Sequence, residues 1–203
     1  MPTNKALRCP HIYQLKITLL GTKPLIWRRL LTPADLSFAQ LHDVLQVAMG
    51  WEDYHLHEFS IGGQRFGVPD PDDTLMGGIA CVDERKVRLG DVLVGAGAKM
   101  GYNYDFGDDW EHSIVLEKVL EAEPGIVYPV CTGGKRRGPP EDCGGVYGYY
   151  NLLEALRDPE HEEHAGMLEW IGEGFDPDHF SIDDINRRLA PAPRRGVKKS
   201  KPL

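Results

Sequence analysis

The chain lacks any apolar run of the roughly 18–20 residues that a bilayer-spanning helix needs. Residues 1–11 contain no apolar core of a secretory signal, so no signal peptide is expected there. Cysteine is scarce: Cys9, Cys81, Cys131 and Cys143 are the four in 203 residues. So few and so widely spaced, they do not read as a disulfide scaffold, and a reducing, cytoplasmic compartment is expected. Three catalytic signatures are missing as well. No Gly-x-x-x-x-Gly-Lys-Ser/Thr run exists to cradle a nucleotide phosphate. His161-Glu162-Glu163-His164 has the wrong spacing for a zinc protease helix, and no Gly-x-Ser-x-Gly elbow presents a nucleophilic serine.

Positive charge is scarce on the body of the chain. The formal net charge is -8. The segment from Pro191 to Leu203 carries Arg194, Arg195, Lys198, Lys199 and Lys201 and no acid, so the rest stands at -8 - 5 = -13. An acidic body repels phosphate backbones and disfavours nucleic acid as its partner. The basic tail could still touch nucleic acid or an acidic partner, although a solvated, disordered terminus is its plainer reading.

A hydrophobic content of 41% and a charged content of 27% are those of a globular domain. Tyr13, Leu15, Ile17 and Leu19 alternate with Gln14, Lys16 and Thr18, the pattern of a half-buried strand. Gly21–Pro24 then turns the chain into a partner strand over 25–31. Ser37 with Gln40 has capping-box spacing ahead of the stripe Leu41, Val44, Leu45 and Ala48, which predicts a helix ended by Gly50. Further strands are expected over 55–61, 65–68, 86–89, 99–106 and 110–120. Residues 69–80 and 121–145 read as loops, and Asp91–Leu93 as a helical turn. Three helices follow: one around Tyr149–Leu156, one capped by Asp158 with Pro159 at its first position, and one opened by Ser181 and Asp184. The expected fold is α+β: a largely antiparallel sheet, a helix after the first hairpin, and a C-terminal helical segment packed on one side. Residues 12–189 read as one domain and 190–203 as the disordered basic tail.

The densest chemistry lies in Tyr104-Asp105-Phe106-Gly107-Asp108-Asp109-Trp110-Glu111-His112. Four carboxylates this close repel one another unless a cation or hydrogen-bond donors offset them. Oxygen ligands would suit Mg²⁺ or Mn²⁺, and histidine would draw in Zn²⁺. A polar hairpin turn with solvated acids is the plainer alternative. Strand parity puts His112 on the apolar face of Trp110, Ile114 and Leu116, and puts His55 and His57 on that of Phe59 and Ile61. The three inward histidines would form a metal or catalytic site if their strands were neighbours, and otherwise would be satisfied core histidines. Cys131 and Cys143 are candidate ligands too, although zinc pairs are usually two to four residues apart. Lys135-Arg136-Arg137, beside Glu141 and Asp142, could hold an anion or be a self-paired loop.

The Tyr104–His112 run occurs together with His55-Leu56-His57-Glu58-Phe59, Pro139-Pro140-Glu141-Asp142-Cys143-Gly144-Gly145, Gly148-Tyr149, Phe175-Asp176-Pro177 and Phe180. In that combination, from about Ile12 to Leu189, the chain resembles the plasmid pRiA4b open-reading-frame-three family. The resemblance implies an α+β domain found in bacteria and archaea near plasmids and mobile elements, and it implies no reaction. Two readings follow. One is a binding or accessory module for a protein or small ligand, with Tyr104, Asp105, Asp108, Asp109, Trp110, Glu141 and Asp142 at the site. The other is a hydrolase using a divalent metal held by residues from the set His55, His57, Asp105, Asp108, Asp109 and His112, with a carboxylate or histidine as base to a metal-bound water.

Overall fold

The computed structural model describes residues 11–69 and 80–190. Residues 191–203 of the predicted basic tail and Cys9 lie outside the described residues, as does most of the 69–80 loop. The alternating first segment forms β1 (His11–Leu19), with Leu15, Ile17 and Leu19 almost fully buried. It pairs antiparallel with β2 (Trp27–Pro33), Ile12 opposite Pro33 and Thr18 opposite Trp27. Helix α1 (Phe38–Met49) carries the full capping box: Ser37 Oγ accepts from Gln40 N and the Gln40 side chain accepts from Ser37 N. Gly50 ends it in the left-handed conformation.

Strands β3 (His57–Ile61), β4 (Gln64–Gly67) and β5 (Val82–Asp83) precede a short helix α2 (Leu89–Val92). The expected strand over 86–89 is therefore corrected. The strand lies earlier, at β5, and residues 86–88 lead into α2. β6 (Lys99–Tyr104) and β7 (Trp110–Glu121) form the hairpin that carries the acidic segment, and β8 (Val130–Lys135) is a further strand. The spatial order is β5-β4-β3-β6-β7-β1-β2-β8, antiparallel throughout except between β4 and β5.

β8 lies inside the stretch expected to be a loop. Its sequence, Val130-Cys131-Thr132-Gly133-Gly134-Lys135, has no apolar alternation to mark it. Glycine is needed here for close approach. A Cβ on Gly134 would come within 2.4 Å of the Phe180 ring. Helices α3 (Gly145–Arg157), α4 (His164–Ile171) and α5 (Ile182–Leu189) complete the chain. Asp158 does not cap α4 as expected. Its carboxylate accepts from Glu160 N and its carbonyl from His161 N, closing a separate turn, and α4 starts only at His164.

Buried side chains of β1, β2, β6 and β7 join those of α1, α3 and α5 in one hydrophobic cluster. Each fully buried Leu or Phe there contributes about 2 kcal/mol by leaving water. The opposite sheet face is polar, with Arg29 on Glu117 at 2.7 Å and Lys16 over the Trp27 ring. This is the expected α+β arrangement, with the helical layer on one side. Asn186 of α5 fastens the layer to β8. Its Oδ1 accepts from Cys131 N at 2.6 Å and its Nδ2 donates to Cys131 O at 3.0 Å. Asn186→Ala leaves both backbone groups of Cys131 unpaired and should cost about 2 kcal/mol, read as a lower urea midpoint at unchanged slope.

Candidate functional site

Leaving α1, residues 51–57 cross the end of the sheet under three restraints. The Trp51 indole N–H donates to Pro139 O at 2.9 Å, Asp53 N donates to Gln46 Oε1 at 3.0 Å, and Tyr54 N donates to the Tyr104 hydroxyl at 3.1 Å. The segment thereby delivers Asp53, His55 and His57 to two separate groups.

In the first group, His57 stacks face to face on His42 of α1, ring centroids 3.4 Å apart and planes 4° from parallel. His42 Nε2 lies 2.8 Å from Asp53 Oδ1, and His57 Nε2 lies 2.7 Å from Glu84 Oε2. The amide of Gln46 accepts from Asp53 N, so its Nε2 faces Tyr102 and donates to that hydroxyl at 3.1 Å. The hydroxyl proton then points at His42 Nδ1, 2.8 Å away. This selects the tautomer in which His42 carries its proton on Nε2 and donates to Asp53. Burial, then the neighbouring His57, lowers the His42 pKa.

In the second group, His55 Nε2 lies 3.1 Å from Asp142 Oδ1 and 3.6 Å from Asp105 Oδ2. Asp105 is buried in the left-handed conformation at φ 59°, and its Oδ1 accepts from Gly107 N at 2.9 Å and Asp108 N at 3.3 Å. One oxygen thus closes the turn while the other faces His55. Asp142 has the same backbone twist, φ 59°.

The remaining predicted residues brace this end of the molecule. Tyr104 is fully buried, and its hydroxyl donates to Glu141. Burial and then that carboxylate raise its pKa. The second Glu141 oxygen accepts from Glu52 N at 2.9 Å. Asp108 Oδ2 accepts from Gly144 N at 3.1 Å, and Asp109 Oδ1 accepts from Asn103 Nδ2 at 2.6 Å. Trp110 is core. Gly145, at φ 67°, lies so close to Asp108 that a Cβ would come within 2.4 Å of its carbonyl oxygen.

His55, His57 and His112 do not converge, because β3 and β7 are not neighbours: β6 lies between them. His55 precedes β3, where alternation no longer governs its direction, and His57 turns onto His42. His112 points inward as parity predicts. It is fully buried, edge-on to Trp51 at 5.4 Å, with Nδ1 donating to Tyr102 O at 3.3 Å and Nε2 unpaired. Among the described residues, the groups with donor atoms within 4.8 Å of one another are His42–Asp53–His57 and His55–Asp105–Asp142. His112, Cys131 and Cys143 belong to neither. The Cys131 thiol contacts Gly133 O at 3.5 Å, and burial followed by Asp108 pushes the Cys143 thiol up to about 12. The acidic turn is also more divided than expected, because Asp105 is buried rather than solvated. His42, Asp53 and Glu84 were not predicted. His42 reads from sequence as one polar position beside an apolar stripe, and the two acids sit in loops.

A family model described as plasmid pRiA4b ORF-3-like protein matches residues 11–184. The chain belongs to the plasmid pRiA4b ORF-3-like family. A relative from Sinorhizobium fredii (strain NBRC 101917 / NGR234), the uncharacterized protein y4hQ, is 39% identical over 193 residues, covering 91% of this chain and 97% of its own. The crystal structure of protein of unknown function MM3350 from Methanosarcina mazei Go1 superposes with a TM-score of 0.77 at 41% identity, covering 86% of this chain and 97% of that one. The family segments recognised in the sequence are the ones that meet here: 55–59, 104–112 and 139–145. No helix among the described residues is long and apolar enough to cross a membrane.

Burial pushes the His112 imidazole down to about 4, against about 6.5 in an unfolded chain. As pH falls the unfolded state takes up that proton first. The contribution of the neutral ring is therefore complete above pH ~6.5 and is lost towards pH 4. At about 1.4 kcal/mol per unit, the loss is of order 3 kcal/mol. In His112→Leu, stability from urea unfolding should fall less between pH 7 and 4.5 than in the wild type.

Proposed function

We propose that the protein is a binding module that takes a cationic group on an apolar stem, as in a basic peptide segment, and that it serves plasmids or mobile elements as an accessory factor. The observation that carries this reading is the meeting of the family segments beside one open cleft. The cleft has a volume of about 450 Å³ and is lined by Asp142, Cys143, Leu152, Glu163, Met167 and Trp170, among others. Its size falls within the roughly 300–1,000 Å³ of ligand sites. Glu162 adds a further carboxylate to the wall. Trp170 is 48% exposed and lines the cleft, so its indole can meet a cation or a methylene stem there. The acidic body favours the same ligand charge and gives the encounter a salt dependence.

A short peptide of alternating lysine and leucine is the probe, titrated by calorimetry. Trp170→Ala should weaken it about tenfold, in line with a desolvated cation–π contact of up to about 2 kcal/mol. Glu162→Gln with Glu163→Gln should flatten the salt dependence. Equal binding of a serine–leucine peptide would defeat this reading.

A second reading, metal-dependent hydrolysis, is favoured by one observation. Asp142 lines the cleft and also belongs to the His55–Asp105–Asp142 group. It predicts Zn²⁺- or Mn²⁺-dependent turnover of p-nitrophenyl phosphate or acetate that is lost in Asp142→Asn.

A further inference from the structure

The His55 imidazole has a nitrogen in an unusual position. Nε2 is buried and has no hydrogen-bond partner, although two carboxylate oxygens lie 3.1 and 3.6 Å away. It meets neither oxygen with hydrogen-bonding geometry. The three donor atoms all lie within 4.8 Å of one another. They come from separate parts of the chain: the segment before β3, the turn after β6 and the loop before α3. Each is held by other bonds. The first two are secured to each other, since Asp105 N donates to Leu56 O at 2.9 Å and the Tyr104 hydroxyl accepts from Tyr54 N. The Asp105 carboxylate is oriented by Gly107 N, and the 139–144 loop is tied down through Glu141 and through Gly144 N on Asp108.

We propose that His55 Nε2, Asp105 Oδ2 and Asp142 Oδ1 form a binding site for one divalent transition-metal ion of the Zn²⁺ or Mn²⁺ class. Ligand atoms 2.0–2.2 Å from a tetrahedral ion are about 3.4 Å from one another, and the two distances from Nε2 bracket that spacing. Two carboxylates supply the charge that balances a dication. The imidazole nitrogen selects a borderline metal over Mg²⁺ or Ca²⁺, which prefer all-oxygen sets. Three protein ligands leave a coordination position open, as in catalytic rather than structural zinc sites. Asp142, 67% exposed at its side chain, puts that position within reach of solvent and of the cleft it lines.

The neighbouring His42–Asp53–His57 group has more histidines and is the poorer site. An imidazole lone pair lies in the plane of its ring. With the two rings parallel at 3.4 Å, an ion in the plane of one lies outside the plane of the other. His42 Nε2 is also the protonated nitrogen of its ring, through the Gln46–Tyr102 relay. This pair is a stacked, carboxylate-bound unit, and the metal belongs to His55.

The test is elemental analysis and calorimetric titration of chelator-treated protein with ZnCl₂ and with MnCl₂ alone. The expected result is one equivalent bound and a raised melting temperature. His55→Ala, Asp105→Asn and Asp142→Asn should each weaken binding by more than about 100-fold, beyond the 10–100-fold typical of outer-sphere partners. Asparagine is the replacement because it tolerates φ near +60° and keeps the turn. Far-ultraviolet dichroism checks that each variant is folded. His57→Gln should bind metal like the wild type. No binding by the wild type, or binding lost in His57→Gln and kept in His55→Ala, would overturn the proposal. Peptide-probe affinity measured on the same variants reads the cleft separately, so one proposal can fail without the other.

Discussion

The hydroxyl of Tyr104 holds this end of the molecule together. The ring is buried at the last position of β6, with the rings of Trp51, His42 and His55 packed around it. Its oxygen accepts from Tyr54 N and donates to Glu141, which in turn accepts from Glu52 N. One side chain thus fixes the segment after α1 against the loop before α3, two stretches some ninety residues apart in sequence. A buried hydroxyl left without either partner would bear the full cost of desolvation, about 1–3 kcal/mol. The arrangement of His55, Asp105 and Asp142 depends on this clamp, because two of the three lie on the stretches it joins.

Around the clamp, chemically similar residues have different work. Of the acids in the 104–112 segment, Asp108 and Asp109 satisfy backbone and amide donors, while Asp105 divides its two oxygens between the turn and His55. Of the three predicted histidines, one is packed neutral in the core, one is stacked on a second imidazole, and one faces two carboxylates without a hydrogen bond. Burial and partners account for each outcome. His112 is buried between the Trp51 and Tyr102 rings with a backbone carbonyl as its hydrogen-bond partner, so its neutral form is favoured. His57 has Glu84 at hydrogen-bond distance.

Much of the scaffold was legible in the sequence for simple reasons. Period-two alternation marked β1, β6 and β7, and Ser37 with Gln40 marked the start of α1. The capping residue Ser181 marked α5, where its hydroxyl accepts from Asp184 N. β8 was not legible, because its glycines serve Phe180 and its edge is closed by Asn186, both far away in sequence. The start of α4 was misplaced because Asp158 spends its side chain on a turn of its own. Of the site, the residue types and their segments were visible, down to His55, Asp105 and Asp142 as separate candidates. Their grouping was not, and neither was the part played by His42, Asp53 and Glu84.

By itself the sequence determined the fold class, the inward direction of His112, and the family to which the chain belongs. Each rests on local periodicity or on short runs of residues, which the chain carries wherever it folds. Only the tertiary structure decided which histidine meets which carboxylate. That choice depends on the left-handed turns at Asp105 and Asp142, on the path of residues 51–57 across the sheet end, and on a hydrogen bond from Tyr104 to Glu141. Contacts over such separations leave no periodic trace, because side chains from distant loops share no common register until the sheet has formed.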